Sequence, residues 1–153
     1  MRPVLNFLFR VQKLAWKVFR PRTRGVKVML FNPAGEILLI RNSYGRSDQF
    51  LLPGGGIRPF ESPERAARRE IREEVGCTLS GLALVSTHFT SAQGKRDTIY
   101  LFKAVSADEP AIDNFEVEEA RFFPVKALPP TISPATRRRI EEHIGARSAD
   151  GSW

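Results

Sequence analysis

The sequence predicts an α/β fold, a mixed β-sheet held between helices as an α/β/α sandwich, on three observations. Short apolar runs bounded by Pro, Gly and Asn recur from Val26 to Phe123. Two helix-like segments open on the same dipeptide, Ser62-Pro63 and Ser133-Pro134, where Ser suits the cap and Pro the first helical position. The run Thr98–Val105 is apolar on nearly both faces, as a strand covered on both sides requires. With 153 residues, 42% of them hydrophobic and 27% charged, the chain fits one globular domain. Residues 26–145 are expected to form that domain, 1–25 a basic helix and linker, and 146–153 a loose tail.

Taken in order, the first element is a helix. Asn6, Arg10, Lys13, Lys17 and Arg20 recur at steps of four and three and line one face. Val4, Phe7, Leu8, Val11, Leu14, Ala15 and Val18 fill the other, and Phe9, Trp16 and Phe19 widen it. Eight basic and no acidic residues precede Glu36, and without those eight the formal +7 becomes −1. The high isoelectric point therefore describes an appendage. Three placements compete for it: an anionic membrane surface, an apolar surface of this domain or of a second copy, and a targeting presequence. Interruption by Arg10, Lys13 and Lys17 argues against a membrane span, and the apolar face argues against a nucleic-acid arm.

Strands follow. Val26–Phe31 and Glu36–Ile40 read as a hairpin closed by Asn32-Pro33-Ala34-Gly35. Phe50–Leu52 leads into Pro53 and the glycines Gly54, Gly55 and Gly56. After a helix from Ser62 to Gly76 come strands over Leu82–Thr90, Thr98–Val105 and Glu116–Phe123. A last helix runs from Ser133 to about Ile144 and stops at Gly145. The single cysteine, Cys77, rules out an internal disulfide and reads as a small buried hydrophobe, with a reducing cytoplasm the default location. His88, inside an apolar strand, reads as a core histidine. His143 stands near a helix end, where its charge suits the dipole. Tyr44, Phe50 and Phe60 could stack on a base, with packing the first reading for each.

The helix after the glycines carries the chemistry. Ala67, Ile71 and Val75 form its apolar face; Arg65, Arg68, Arg69 and Arg72 gather on a second, and Glu70, Glu73 and Glu74 on a third. Like charges at i and i+4 repel by a few tenths of a kcal/mol, and here they stand in the last turns, where the dipole already disfavours anions. An all-oxygen cluster of this kind suits a hard divalent cation such as Mg²⁺ or Mn²⁺. Counted from Gly55, five residues lead to Glu61, seven more to Arg69, and then come Glu70, Ile71, Arg72, Glu73, Glu74, Val75, Gly76 and Cys77. This resembles the Nudix box, G-x5-E-x7-R-E-U-x-E-E-x-G-U with U apolar, and all nine constrained positions are filled.

The resemblance spans about Val26 to Ile144 and implies roles. Glu70 and Glu74 would be the principal metal ligands, Glu73 an assisting one, and the Gly54 carbonyl a further one. Glu61 and Arg69 would form a structural ion pair tying loop to helix, with Gly55 and Gly76 as the fixed glycines. Arg58 stands where the family often has an acid, and Phe60 where Gly often precedes the Glu. A further acidic ligand or general base often follows the box; Glu116, six residues before Phe122, is the choice, with Glu118 in reserve. Arg41, after an apolar strand, is the leading candidate for meeting phosphate, ahead of Arg46, Lys95 and Arg96.

The reaction implied is Mg²⁺-dependent hydrolysis of a pyrophosphate bond in a nucleoside diphosphate linked to another moiety. The products are a nucleotide monophosphate and a phosphorylated remainder. The competing reading is a catalytically silent nucleotide-binding or regulatory module at a membrane, against which stands the retention of all three glutamates. No Pro lies between Pro63 and Pro110, so the downstream proline that marks ADP-ribose hydrolases is missing. Nucleoside diphosphate sugars, dinucleoside polyphosphates, oxidised nucleoside triphosphates and 5′-capped RNA stay open. The expected location is cytoplasmic, peripheral at a membrane if residues 2–20 bind lipid.

Overall fold

Strands that are apolar at successive positions need cover on both faces, and here both faces are covered. In the computed structural model the described residues are 22–45, 48–91 and 96–153. They form β1 (Arg22–Phe31), β2 (Ile37–Asn42), β3 (Phe50–Leu51), α1 (Pro63–Val75), β4 (Ser80–Thr90), β5 (Arg96–Val105), β6 (Val117–Phe123) and α2 (Pro134–His143). The six strands make one mixed sheet in the order β3-β2-β1-β5-β4, with β6 paired to β2. β1 and β5 run parallel in unbroken register from Arg22 beside Arg96 to Phe31 beside Val105. β2 lies antiparallel to β6, and β4 to β5.

Alternation along each strand sorts residues between two cores. Val26, Val28 and Leu30 of β1, Leu38 and Ile40 of β2, and Phe102 and Ala104 of β5 pack under α1 with Ala66, Ala67, Ile71 and Val75. Met29, Ile37, Leu39 and Leu101 face the other way and pack with Ile140 of α2. The α/β/α sandwich expected from the sequence is therefore the fold. The hairpin turn is also as read: Gly35, at φ 79°, donates its N–H to the Asn32 carbonyl at 2.9 Å.

Several boundaries differ. β1 starts at Arg22, so residues 22–25, expected as linker, are strand. Their Arg-Thr-Arg-Gly sequence shows no apolar alternation, and pairing with β5 extends the strand regardless. β6 starts at Val117 and leaves Glu116 in the preceding loop. β4 starts two residues early and is exposed along most of its length, with Leu84, Val85 and Phe89 open to solvent. The tail, expected to be loose, docks instead: the Trp153 ring lies 5.3 Å from His88, and its carbonyl accepts from Arg138. His88 is buried, bonded to Ser86 and the Gly151 carbonyl, as a core histidine should be. Burial holds the His143 imidazole below its ordinary pKa, which favours the neutral ring over a dipole-paired cation. The helix expected over residues 2–20, Arg46 and Lys95 lie outside the described residues.

Candidate functional site

Local sequence sets α1 in place. Ser62 stays extended (φ −75°, ψ 154°) and its Oγ accepts from the Arg65 N–H, Pro63 opens the first turn, and Gly76 ends the helix at φ 69°. The buried face of Ala66, Ala67, Ile71 and Val75 fixes the rotation of the helix against the sheet. That rotation sets Glu70 and Glu74 beneath the glycine turn. The Gly54 N–H donates to Glu74 Oε2 at 2.8 Å. A Cβ at Gly55 would stand 2.5 Å from the Glu70 carboxyl carbon, so any side chain there would push that carboxylate out of its place. Gly54, at φ 145°, is the stricter requirement, because a Cβ there would meet the Val26 carbonyl oxygen at 2.1 Å, a backbone atom that cannot give way.

Arg69 uses its whole guanidinium. Nε and Nη2 fork onto Glu61 at 2.8 Å each, and Nη2 also donates to the Gly56 carbonyl at 2.8 Å. Nη1 reaches Glu70 at 2.8 Å and Glu73 at 3.1 Å. The loop-to-helix ion pair expected of Glu61 and Arg69 is present, but Arg69 also holds two of the three clustered glutamates. The acids and bases of α1 are thus less separated than a projection suggests, because a long side chain spans neighbouring faces. The Arg69 fork and the Arg58 N–H hold the Glu61 carboxyl well down, at about 2. Hydrogen bonding to Glu61 raises Arg69 above its ordinary value. Burial raises the Glu70 carboxyl although Arg69 opposes it.

Glu74 is shifted in the opposite direction to Glu61. Burial lifts it to about 7, against the opposing Lys27 charge and the Gly54 N–H, while Glu70 and Glu116 raise it further. Tyr44 is pushed up to about 12 by burial, then by Glu116, Glu74 and Glu70. Glu70, Glu74, Glu116, Lys27 and Tyr44 thus share one electrostatic neighbourhood. Asn114 places Glu116: its Nδ2 donates to the Glu73 and Glu74 carbonyls at 3.0 and 3.1 Å, and its Oδ1 accepts from the Glu116 and Val117 N–H groups at 3.0 Å each. One side chain therefore joins the end of α1 to the loop that carries Glu116.

A cleft of about 670 Å³ opens beside this cluster, lined by Glu74, the Gly54–Gly56 turn, Lys27, Tyr44, Arg58, Phe60 and the start of β1. Its size suits a nucleotide-sized ligand. Other candidates sit elsewhere. Arg41 is not among the residues lining the cleft; it pairs with Glu119 at 3.0 Å and Glu118 at 3.4 Å. Arg96 lines a neighbouring cleft of about 540 Å³. Phe50 is core, edge-on to Phe123, and Cys77 is buried. Phe60 is not the packing residue expected but is fully exposed on the cleft rim.

Lys27 and Asn114 were missed by sequence reasoning, and Tyr44 was read first as a packing residue. A lone Lys between the apolar residues Val26 and Val28 was a usable signal for the first; the other two depend on which loops meet. Among the described residues, no three His, Cys, Asp or Glu side chains already converge on one point, since Glu70 and Glu73 turn to Arg69. The donor set still fits a hard divalent cation. It is all oxygen, it has a glycine-lined approach to Glu70, and it includes the Gly54 backbone and the nearby Glu116.

Comparison with known proteins agrees with this geometry. The NUDIX domain family matches residues 21–144. The nucleoside triphosphatase NudI of Klebsiella pneumoniae (strain 342) is 33% identical over 112 residues, 64% of this chain and 79% of that protein. NudI of Escherichia coli O1:K1 / APEC is 31% identical over 134 residues, 78% of this chain and 95% of that protein. Among solved structures, a MutT NUDIX hydrolase from Burkholderia pseudomallei aligns with a TM-score of 0.69 at 28% identity, covering 78% of this chain and 96% of that one. The MutT protein from Methanosarcina mazei Go1 shares the fold, with a TM-score of 0.65 at 22% identity over 84% of this chain and 96% of that one. A complete box, folded so that its glutamates meet a glycine turn, thus lies inside a match covering most of the sequence, and the chain belongs to the Nudix family of pyrophosphohydrolases.

Proposed function

We propose that this protein hydrolyses the pyrophosphate bond of a nucleoside diphosphate linked to a further group, using Mg²⁺ or Mn²⁺. The observation that carries the reading is the all-oxygen cluster beneath the glycine turn, opening on a nucleotide-sized cleft. Glu70, Glu73, Glu74, Glu116 and the Gly54 carbonyl would hold the cation. When bound, it would offset the charge of the diphosphate and act as a Lewis acid towards its oxygens. The chain's own groups do the rest. Lys27 and Arg58 bring positive charge to the cleft wall and attract the anionic substrate. Glu116, exposed beside the cluster, takes a proton from the attacking water. Water adds to one phosphorus, the anhydride bond breaks, and the leaving phosphate keeps the bridging oxygen.

Nucleoside triphosphates belong to this substrate class, the further group then being a phosphate. Relatives named nucleoside triphosphatase put them first in a panel. The panel also holds nucleoside diphosphate sugars, dinucleoside polyphosphates and 5′-capped RNA, each with Mg²⁺, Mn²⁺ or chelator. Cleavage between the phosphates of at least one member, dependent on metal, is expected. Glu70→Gln and Glu74→Gln should each lower kcat/KM by about 100-fold or more. Variants as active as the parent would remove the assigned roles. Tight nucleotide binding without turnover by the parent would favour the silent binding module.

The basic, apolar segment 2–20 supports a second role, in which it docks on anionic lipid and keeps a cytoplasmic enzyme at the membrane surface. Self-association through the same apolar face is the competing outcome.

A further inference from the structure

Among the described residues, Phe60 is the one non-glycine residue with positive φ, at 63°. It is also 107% exposed, more open than any other large hydrophobic residue described. A bulky side chain in the left-handed region costs stability, and an exposed aromatic ring gains nothing from burial. The turn's own hydrogen bonds hold the backbone, but no packing contact compensates the exposed ring.

The turn that holds it there is firmly pinned. The Glu61 N–H bonds the Arg58 carbonyl at 3.1 Å, the Arg58 N–H bonds Glu61 Oε1 at 3.1 Å, and Arg69 forks onto the same carboxylate. Pro59 restricts the backbone between them. The ring is therefore presented by a rigid support, on the rim of the cleft that Glu74 and the glycine turn also line. Across that cleft runs β1, whose Arg24 lies over the Tyr100 ring at 5.5 Å and takes the Ile57 N–H on its carbonyl at 2.9 Å. An unsatisfied aromatic face, held by strain at a site, points from the outlier to a ligand. The cleft is walled by Arg24, Lys27 and Arg58 and so favours an anionic ligand with a flat, π-faced end.

We propose that Phe60, on the rim of this cleft, is the stacking residue for the substrate's nucleobase. The inference rests on the nucleotide reading above and deepens it. Stacking on an aromatic face accepts any base, so Phe60 sets affinity for the nucleotide class rather than for one base.

Steady-state kinetics of Phe60→Ala, Phe60→Gly and Phe60→Trp on the best panel substrate test it. Phe60→Ala and Phe60→Gly should raise KM by roughly 10- to 100-fold with kcat nearly unchanged, and Phe60→Trp should restore KM. Phe60→Gly should unfold at no lower temperature than the parent, since glycine relieves the positive φ. An unaltered KM in Phe60→Ala overturns the proposal. So does an altered sedimentation coefficient with unaltered KM, which would make Phe60 a protein contact.

If the parent turns over no panel member, the functional reading fails alone, and binding decides the stack. Titration with the four ribonucleoside 5′-monophosphates and with ribose 5-phosphate should show a preference for the nucleotides that Phe60→Ala abolishes. Equal affinity of the parent for both kinds of ligand overturns the stack.

Discussion

Glu74 carries an electrostatic cost whose size varies with pH. Its carboxyl rises from an ordinary 4.5 to about 7 because burial outweighs the help from Lys27 and Gly54. A group whose pKa rises on folding holds its proton more tightly when folded. The associated stability is fully present below pH 4.5 and is lost as the pH climbs through about 7. Chelator-treated protein should lose roughly 3 kcal/mol across that window, and Glu74→Gln should flatten the slope. Urea unfolding of both between pH 4.5 and 8 checks this; parallel curves would refute the assigned burial. Arg69 makes the opposite kind of contribution, since one planar group satisfies Glu61, Glu70, Glu73 and a backbone carbonyl. Lysine keeps the charge but not the fork. Arg69→Lys should therefore cost about 1–3 kcal/mol in denaturant unfolding and roughly 10-fold or more in kcat/KM. Unchanged stability would show that charge alone suffices.

Between elements, the link that matters for catalysis runs from α1 to the loop before β6. α1 ends at Gly76 with its last carbonyls still in need of donors, and Asn114 supplies two N–H groups to Glu73 and Glu74. Its carbonyl oxygen, accepting from residues 116 and 117, then fixes the position of Glu116. Asn114→Ala removes both ends of this brace. It should lower stability by about 1–2 kcal/mol and lower kcat more than it changes KM, because Glu116 is displaced while the cleft walls are not. Asn114→Asp retains the acceptor, loses the donors, and should recover only part of the rate. If Asn114→Ala kept full kcat, Glu116 would not be the proton acceptor.

At the scale of the molecule, charge is distributed unevenly along the chain. The eight basic residues before Glu36 account for the whole surplus, and the remainder sits near neutrality at −1. Among the described residues no helix is long and apolar enough to cross a membrane. Deleting residues 2–20 should abolish sedimentation with phosphatidylserine vesicles at low salt while leaving hydrolysis intact, because the cleft is built from β1 onward. An intact chain that does not sediment with such vesicles would reject the lipid reading, and a deletion that changes only the oligomeric state would place this segment on a protein surface.

The box motif was legible because its constraints are local: a cap, a terminating glycine, an apolar stripe and three glutamates at helical spacing all lie within one short window. The same holds for the two-sided strands that specify a sandwich, and for Cys77 and His88 as buried residues. Segments whose environment comes from elsewhere were not legible. Residues 22–25 become strand only by pairing with β5, and the tail orders only because Trp153 finds His88 and Arg139. Arg41, a reasonable phosphate contact by position, is claimed by Glu119 across the β2–β6 pairing. Lys27, Tyr44 and Asn114 join the site through contacts between segments distant in sequence. The sequence by itself determined the chemistry, because side-chain identity and helical period set the charge of one helix face. Only the tertiary structure decided which distant groups temper that charge and which ring stands exposed on the cleft rim, because burial and loop apposition depend on the whole chain.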